Sequence, residues 1–224
     1  VRNSHLYPLL TEYLFGKTLL DIGAGALHFM NLASQKGFAV EGVEPDKNLI
    51  LFGKKLYGEI GAVYNRPAEQ ISTLNKKYDT VSLVDVLEHI KNDIETLSNL
   101  KKNLNKSGRL LILVPSYQFL FSDRDRAIGH YRRYNKSDLE RKLRESGYSV
   151  VYSRYWNMLG FFVYFLFEKI LKKRAPHHLR TKPKKGFVTK VGHTLVSLWM
   201  RSVERYFNLG FGLSLLIVAK KNEK

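Results

Sequence analysis

Three groups of residues in this 224-residue chain have the types and spacing to do chemistry. The first is Asp21-Ile22-Gly23-Ala24-Gly25, which follows the apolar pair Leu19-Leu20, together with Glu44 at the end of the next apolar run. Glycines at such a turn let the backbone approach a ligand where a side chain would collide. An acid ending the second strand can accept both ribose hydroxyls of a nucleoside cofactor. A dinucleotide fingerprint needs its third glycine where this chain has His28, which disfavours NAD. The bland alternative is a tight turn beside a solvated glutamate.

The second group is Asp85, Glu88 and His89; the third is Asp123, Asp125 and the run Gly129-His130-Tyr131-Arg132-Arg133-Tyr134. A neutral histidine suits a general base, and paired arginines suit a phosphate or carboxylate. His130 and His89 are therefore the catalytic candidates, and Tyr131, Arg132 and Arg133 the candidates for holding a substrate. Against this stand two plainer readings. Glu88-His89 closes a strand end, or the run from 129 is a solvated basic helix start with Tyr131 and Tyr134 packed inward. Cysteine is absent, which removes thiolate zinc sites, catalytic thiols and cysteine-held iron–sulfur clusters, and with the clusters any radical chemistry that needs one.

These groups need elements to position them. Apolar runs at Lys17–Ile22, Phe38–Val43, Ala62–Tyr64, Thr80–Val84, Arg109–Val114, Tyr148–Tyr155 and Leu213–Ala219 read as strands. Helical stretches alternate with them, the second beginning at Pro45-Asp46 with Leu49, Ile50, Phe52 and Leu56 spaced for one buried face. The alternation predicts an α/β fold with a mostly parallel sheet, and a ligand beyond the carboxyl ends of the strands at the switch point.

Over Lys17 to about Tyr155 plus the last strand, the chain resembles the class I S-adenosylmethionine (SAM)-dependent methyltransferases of the type 11/12/23 group. Leu19–Gly25 is similar to the first motif of that family and Val40–Asp46 to its second-strand acid motif. Tyr78–Val81 through Val86–Ile90 resembles the fourth-strand motif, and Leu104–Leu110 the entry to strand five. The resemblance implies a Rossmann-like seven-stranded sheet whose last strand is antiparallel, with SAM as cofactor. It implies cofactor contacts from Asp21, Gly23, Ala24, Gly25, Glu44, Pro45, Ala68, Glu69, Asp85 and Val86. Two positions depart from the pattern. The family's third loop glycine is Leu27, a side chain expected to tighten the pocket. The acid that meets the adenine amino group aligns with Pro67, which passes that role to Glu69 or a backbone amide. Asp85-x-x-Glu88-His89 with His130 is also similar to the metal site of small-RNA 3′-end 2′-O-methyltransferases, an alternative under which the enzyme would be metal-assisted and act on RNA; no metal is assigned.

Residues 156–208 break the alternation and read as a helical insertion, so the core is expected at 1–155 and 209–224. The net charge of +17 points to an anionic partner, and nine lysines and arginines with no acid lie between Lys169 and Lys190. Beside the aromatic run Phe161–Phe167 this cluster suits a peripheral membrane contact. A solvated cap is the bland counterpart, and nucleic acid ranks below both because a basic patch alone carries no sequence information. The first apolar run is too short to span a bilayer, which takes roughly 20 residues. The expectation is a cytoplasmic enzyme, at the inner membrane face where lipid is involved, that O-methylates a small or polyprenyl-linked acceptor. A catalytically idle adaptor at membrane or RNA is the alternative from a different class.

Overall fold

A computed structural model describes residues 2–171 and 187–222. Seven strands form one sheet: β1 (Thr18–Ile22), β2 (Ala39–Val43), β3 (Val63–Tyr64), β4 (Tyr78–Val84), β5 (Leu104–Pro115), β6 (Tyr148–Trp156) and β7 (Ser214–Lys221). Their spatial order is β3-β2-β1-β4-β5-β7-β6. Pairs among the first five are parallel, while β7 runs antiparallel to both β5 and β6. The chain steps outward from β1 in one direction, then crosses to β4 on the other side. The crevice between the ends of β1 and β4 is therefore the switch point, where two loops splay apart and leave room for a ligand.

Both faces of the sheet are covered, so its central strands are apolar on consecutive residues. On β5, Leu110, Ile112 and Val114 point to one face, against Leu97 and Leu100 of α4 (Asp93–Leu100) and Leu139 and Leu143 of α6 (Lys136–Glu145). Leu111 and Leu113 point to the other, against α1 (Arg2–Leu10) and α2 (His28–Gln35). The helix α3 (Lys47–Tyr57) corrects the expected face: it buries Ile50 and Gly53, while Leu49, Phe52 and Leu56 are exposed. A Cβ on Gly53 would come within 2.8 Å of the Ala26 carbonyl oxygen. Close contact with the loop before α2 thus decides which side of α3 turns inward.

A short α5 (Asp123–Ala127) follows β5. The segment before β7 is helical in α7 (Met158–Phe165), which continues as a π turn to Ile170, and α8 (Phe187–Ser202). This segment is tied to the core at two points. Trp156 and Met200 are buried in the second core cluster. The buried Glu204 carboxylate accepts from the backbone N–H of Met158 and from Trp199 Nε1, each at 2.9 Å. No helix among the described residues is long and apolar enough to cross a membrane. Lys172, Lys173, Arg174 and most of the basic cluster lie outside the described residues.

Candidate active site

The loop after β1 is held open by glycine. Gly23 has φ +70°, and a Cβ there would lie 2.3 Å from Cγ2 of Val86, so any side chain would push apart the β1 and β4 loops. At Gly25 a Cβ would meet nothing closer than a backbone oxygen at 4.0 Å, which leaves space on the loop's open side. The Gly25 N–H donates 2.7 Å to Glu44 Oε2 and the Asp46 N–H 2.9 Å to Oε1. Each oxygen of a carboxylate has two lone pairs, so both can still accept a hydroxyl. The Asn65 amide donates to the carbonyls of Glu44 and Pro45 at 3.0 and 2.8 Å and pins the turn from behind. Sequence reading missed Asn65, whose only signal is its place directly after β3.

Asp21 is buried beneath this loop and accepts 2.6 Å from the Ser82 hydroxyl. Burial pushes its pKa up to about 7, with the Glu44 charge adding to the rise and the Ser82 hydrogen bond opposing it. A buried acid in that state lacks a cation, and SAM carries two, its sulfonium and its ammonium. The Glu44 carboxylate, the open face at Gly25 and this acid fit the cofactor. Pro45 and Glu69 are exposed, Ala68 is half-buried against the core, and Asp85 and Val86, both half-buried, directly follow β4. Asp85 has φ +55°.

Leu27 does not tighten the pocket. Its backbone is left-handed at φ 61°, the conformation that makes glycine usual there. The side chain turns away and is buried in the second core cluster against Gly53. Leu27→Gly should therefore destabilise the protein in spite of the family pattern. Loss of a buried leucine costs about 2–5 kcal/mol, and release from the left-handed region returns only about 1–2 kcal/mol. Urea unfolding checks this, and a variant as stable as the parent would show that Leu27 does not pack.

Beyond β4 the chain brings together residues that lie 41 positions apart. Glu88, His89 and His130 each offer a ligand or proton-accepting atom, all within 4.8 Å of one another. The two imidazoles meet edge to face at 4.5 Å between centroids, and Glu88 is buried. Burial, then the neighbouring His130, holds the His89 pKa below the ordinary histidine value. The connecting strap is the run from Gly129. The Tyr131 N–H donates to the Glu88 carbonyl at 2.8 Å, and Tyr134 bridges to the end of β5.

The arginines of that strap occupy a different role from the one expected. Arg132 pairs with Asp93 at 2.8 Å and donates to the Lys91 carbonyl. Arg133 is buried and grips both oxygens of Asp125, each at 2.9 Å. Tyr134 is fully buried and donates 2.8 Å to Asp93, whose pKa stays below the usual range despite burial because Lys142, Tyr134 and Arg132 all donate to it. Both guanidinium groups are thus neutralised by the chain's own acids, which argues against a phosphate clamp. Tyr131 is the exposed ring of the three expected substrate residues.

A family model described as "Methyltransferase domain" matches residues 4–153. Several solved structures resemble the chain. A SAM-dependent methyltransferase from Archaeoglobus fulgidus is 20% identical, with 98% of this chain and 94% of that one covered and a TM-score of 0.63. The protein bound to the Trm112 methyltransferase activator of Haloferax volcanii is 13% identical, with 100% and 91% covered and a TM-score of 0.67. The 1,6-didemethyltoxoflavin-N1-methyltransferase of Burkholderia thailandensis, solved with that substrate and S-adenosylhomocysteine, is 18% identical, with 97% and 76% covered and a TM-score of 0.59. At these identities the likeness is one of fold. No curated protein matches by sequence.

Proposed function

The chain belongs to the methyltransferase-domain family, whose methyl donor is SAM, and we propose that it methylates a hydroxyl of a small or lipid-linked acceptor with His130 and His89 at the reacting end. Family membership sets aside the reading as an idle adaptor. The observation that carries the proposal is the Glu88–His89–His130 cluster, set beyond the Val86 wall of the cofactor loop. The cofactor supplies an electrophilic methyl on a sulfonium with a good leaving group. The chain's own residues then have two tasks: to align the acceptor oxygen and to take its proton. A neutral imidazole beside a buried carboxylate can take that proton and be stabilised as a cation. Tyr131, exposed beside the cluster, is placed to border the acceptor.

One distance favours a second reading. Glu88 Oε1 and His130 Nε2 are 3.9 Å apart, too long for a hydrogen bond but within the span of two ligands of one ion at about 2.1 Å each. A divalent cation held by Glu88, His89 and His130 would acidify the acceptor hydroxyl in place of a base, the chemistry of a metal-assisted RNA 2′-O-methyltransferase.

The lipid-linked version draws on the α7 face. Phe162, Leu166 and Ile170 recur at helical spacing, and all three are exposed. With the basic cluster that follows in sequence, they supply the apolar and electrostatic signals of surface binding at an anionic inner membrane face.

One experiment separates these readings: labelled SAM is incubated with cell extract and with wild type or His130→Ala, with and without chelator. Label in the organic phase means a lipid acceptor, and label in the aqueous phase a small molecule or RNA. Loss of a base is expected to lower transfer roughly 100-fold or more. Loss on chelation selects the metal reading, and undiminished transfer by His130→Ala overturns the role of His130 in both.

A further inference from the structure

Asp125 is the most heavily engaged carboxylate in the described chain, and the functional reading above gives it no task. It is buried at 2% exposure at the first turn of α5. Its Oδ2 accepts from the Ser122 N–H at 2.9 Å, Arg133 Nε at 2.9 Å and the Tyr164 hydroxyl at 3.2 Å, with the Ser122 hydroxyl oxygen 3.3 Å away. Its Oδ1 takes Arg133 Nη2 at 2.9 Å and lies 3.2 Å from the buried His130 Nδ1, within ion-pair reach but out of hydrogen-bond alignment. The His130 N–H also donates to the Asp125 carbonyl at 2.9 Å, so backbone and side chain of one residue hold one histidine. A helix cap alone would need only Ser122, and a buried ion pair only Arg133. Neither accounts for a ring nitrogen and a tyrosine from α7 on the same carboxylate.

We infer that Asp125 is the positioning residue of His130, fixing its proton on Nδ1 so that Nε2 faces Glu88 and the acceptor, and that α7 completes this arrangement through Tyr164. The inference rests on the reading of His130 as the acceptor-side residue. Its chemistry is simple. Asp125 is paired through both oxygens with the Arg133 guanidinium, a carboxylate in such a pair can only accept, and a proton on Nδ1 is what makes the 3.2 Å approach of His130 favourable. The lone pair is then left on Nε2, 3.9 Å from Glu88 Oε1. That tautomer serves a base and a metal ligand equally, since either needs Nε2 unprotonated and Nδ1–H oriented by a partner. Tyr164 is buried, bonds Ser122 at 2.7 Å as well, and places its ring 4.4 Å under the Arg133 guanidinium. Docking of the insertion helix therefore bears on the orientation of the reacting imidazole through a single shared acid.

The test is imidazole nitrogen NMR on the ¹⁵N-labelled full chain in chelator, which reports the tautomer without any acceptor. The wild type should show His130 with Nδ1 protonated. Asp125→Asn should lower the Nδ1–H to Nε2–H ratio about tenfold, the worth of one charge-assisted hydrogen bond. Tyr164→Phe, which keeps the ring over Arg133 and leaves the Arg133 pair intact, should shift the ratio the same way by about twofold or more. An unchanged ratio in both variants, with circular dichroism matching wild type, overturns the inference. Should Asp125→Asn fail to fold, Tyr164→Phe decides alone. A ratio that responds as expected while His130→Ala still transfers methyl keeps Asp125 as the holder of the ring and removes the role of His130 in the reaction.

Discussion

Glu44→Ala is expected to raise the SAM dissociation constant by about a hundredfold or more. The carboxylate does two jobs at once. It accepts the Gly25 and Asp46 N–H groups, which sets the shape of the cofactor loop, and it keeps free lone pairs for a ribose. Hydrogen bonds to a charged group are worth about 1.5–3 kcal/mol each. Loss of two to the ribose amounts to about 3–6 kcal/mol, and two stranded backbone donors loosen the loop further. Isothermal titration measures the change, and circular dichroism confirms that the sheet is intact. A folded Glu44→Ala protein that binds SAM as the parent does would show that the ribose is held elsewhere.

Asp21→Asn should remove most of a pH dependence that the wild type carries in both stability and cofactor binding. The folded pKa of about 7 lies above the ordinary aspartate value of 3.8. The folded state therefore holds this proton more tightly than the unfolded chain. Its contribution to stability is fully present below about pH 4 and is lost as the pH rises through 7. The shift corresponds to a loss on the order of 4 kcal/mol by pH 8. An asparagine has no charge to bury and can keep a partner in Ser82. Asp21→Asn should thus be the more stable protein at pH 8, with a flatter profile between pH 5 and 8 in urea unfolding. SAM binding should move oppositely. A cation near Asp21 favours the ionised acid, so wild-type affinity should rise from pH 6 to 8, and that of Asp21→Asn should not. Parallel stability profiles for the two proteins would remove Asp21 as the titrating group.

Both predictions concern residues that were legible in the sequence. The cofactor loop and its acid could be read because their requirements are local. A strand end, two glycines with positive φ and a carboxylate at the end of the next strand are set by spacing along the chain. The seven strands were legible for the same reason: an apolar run bounded by turn residues has few other places to go in a chain that must bury a core. Their limits were less so, and β5 begins at Leu104, five residues ahead of the expected Arg109. The face of α3 was misread because Leu49, Phe52 and Leu56 satisfy helical periodicity, whereas the inward side is chosen by how closely Gly53 can approach another loop.

Fold class, cofactor and family could all be read from the chain, since each depends on residue types at fixed intervals. Tertiary structure alone decided the use of the polar residues past β4. An arginine looks the same in sequence whether it meets a substrate phosphate or an aspartate. Only the folded chain shows Arg133 on Asp125 and Arg132 on Asp93. His89 and His130 became neighbours because the strap after α5 returns to the end of β4. Leu27 turned from a suspected obstruction into part of the core because its backbone angle aims the side chain at α3. Each of these depends on which partner arrives from far along the chain, and the free energy of a buried pair is a property of both members together.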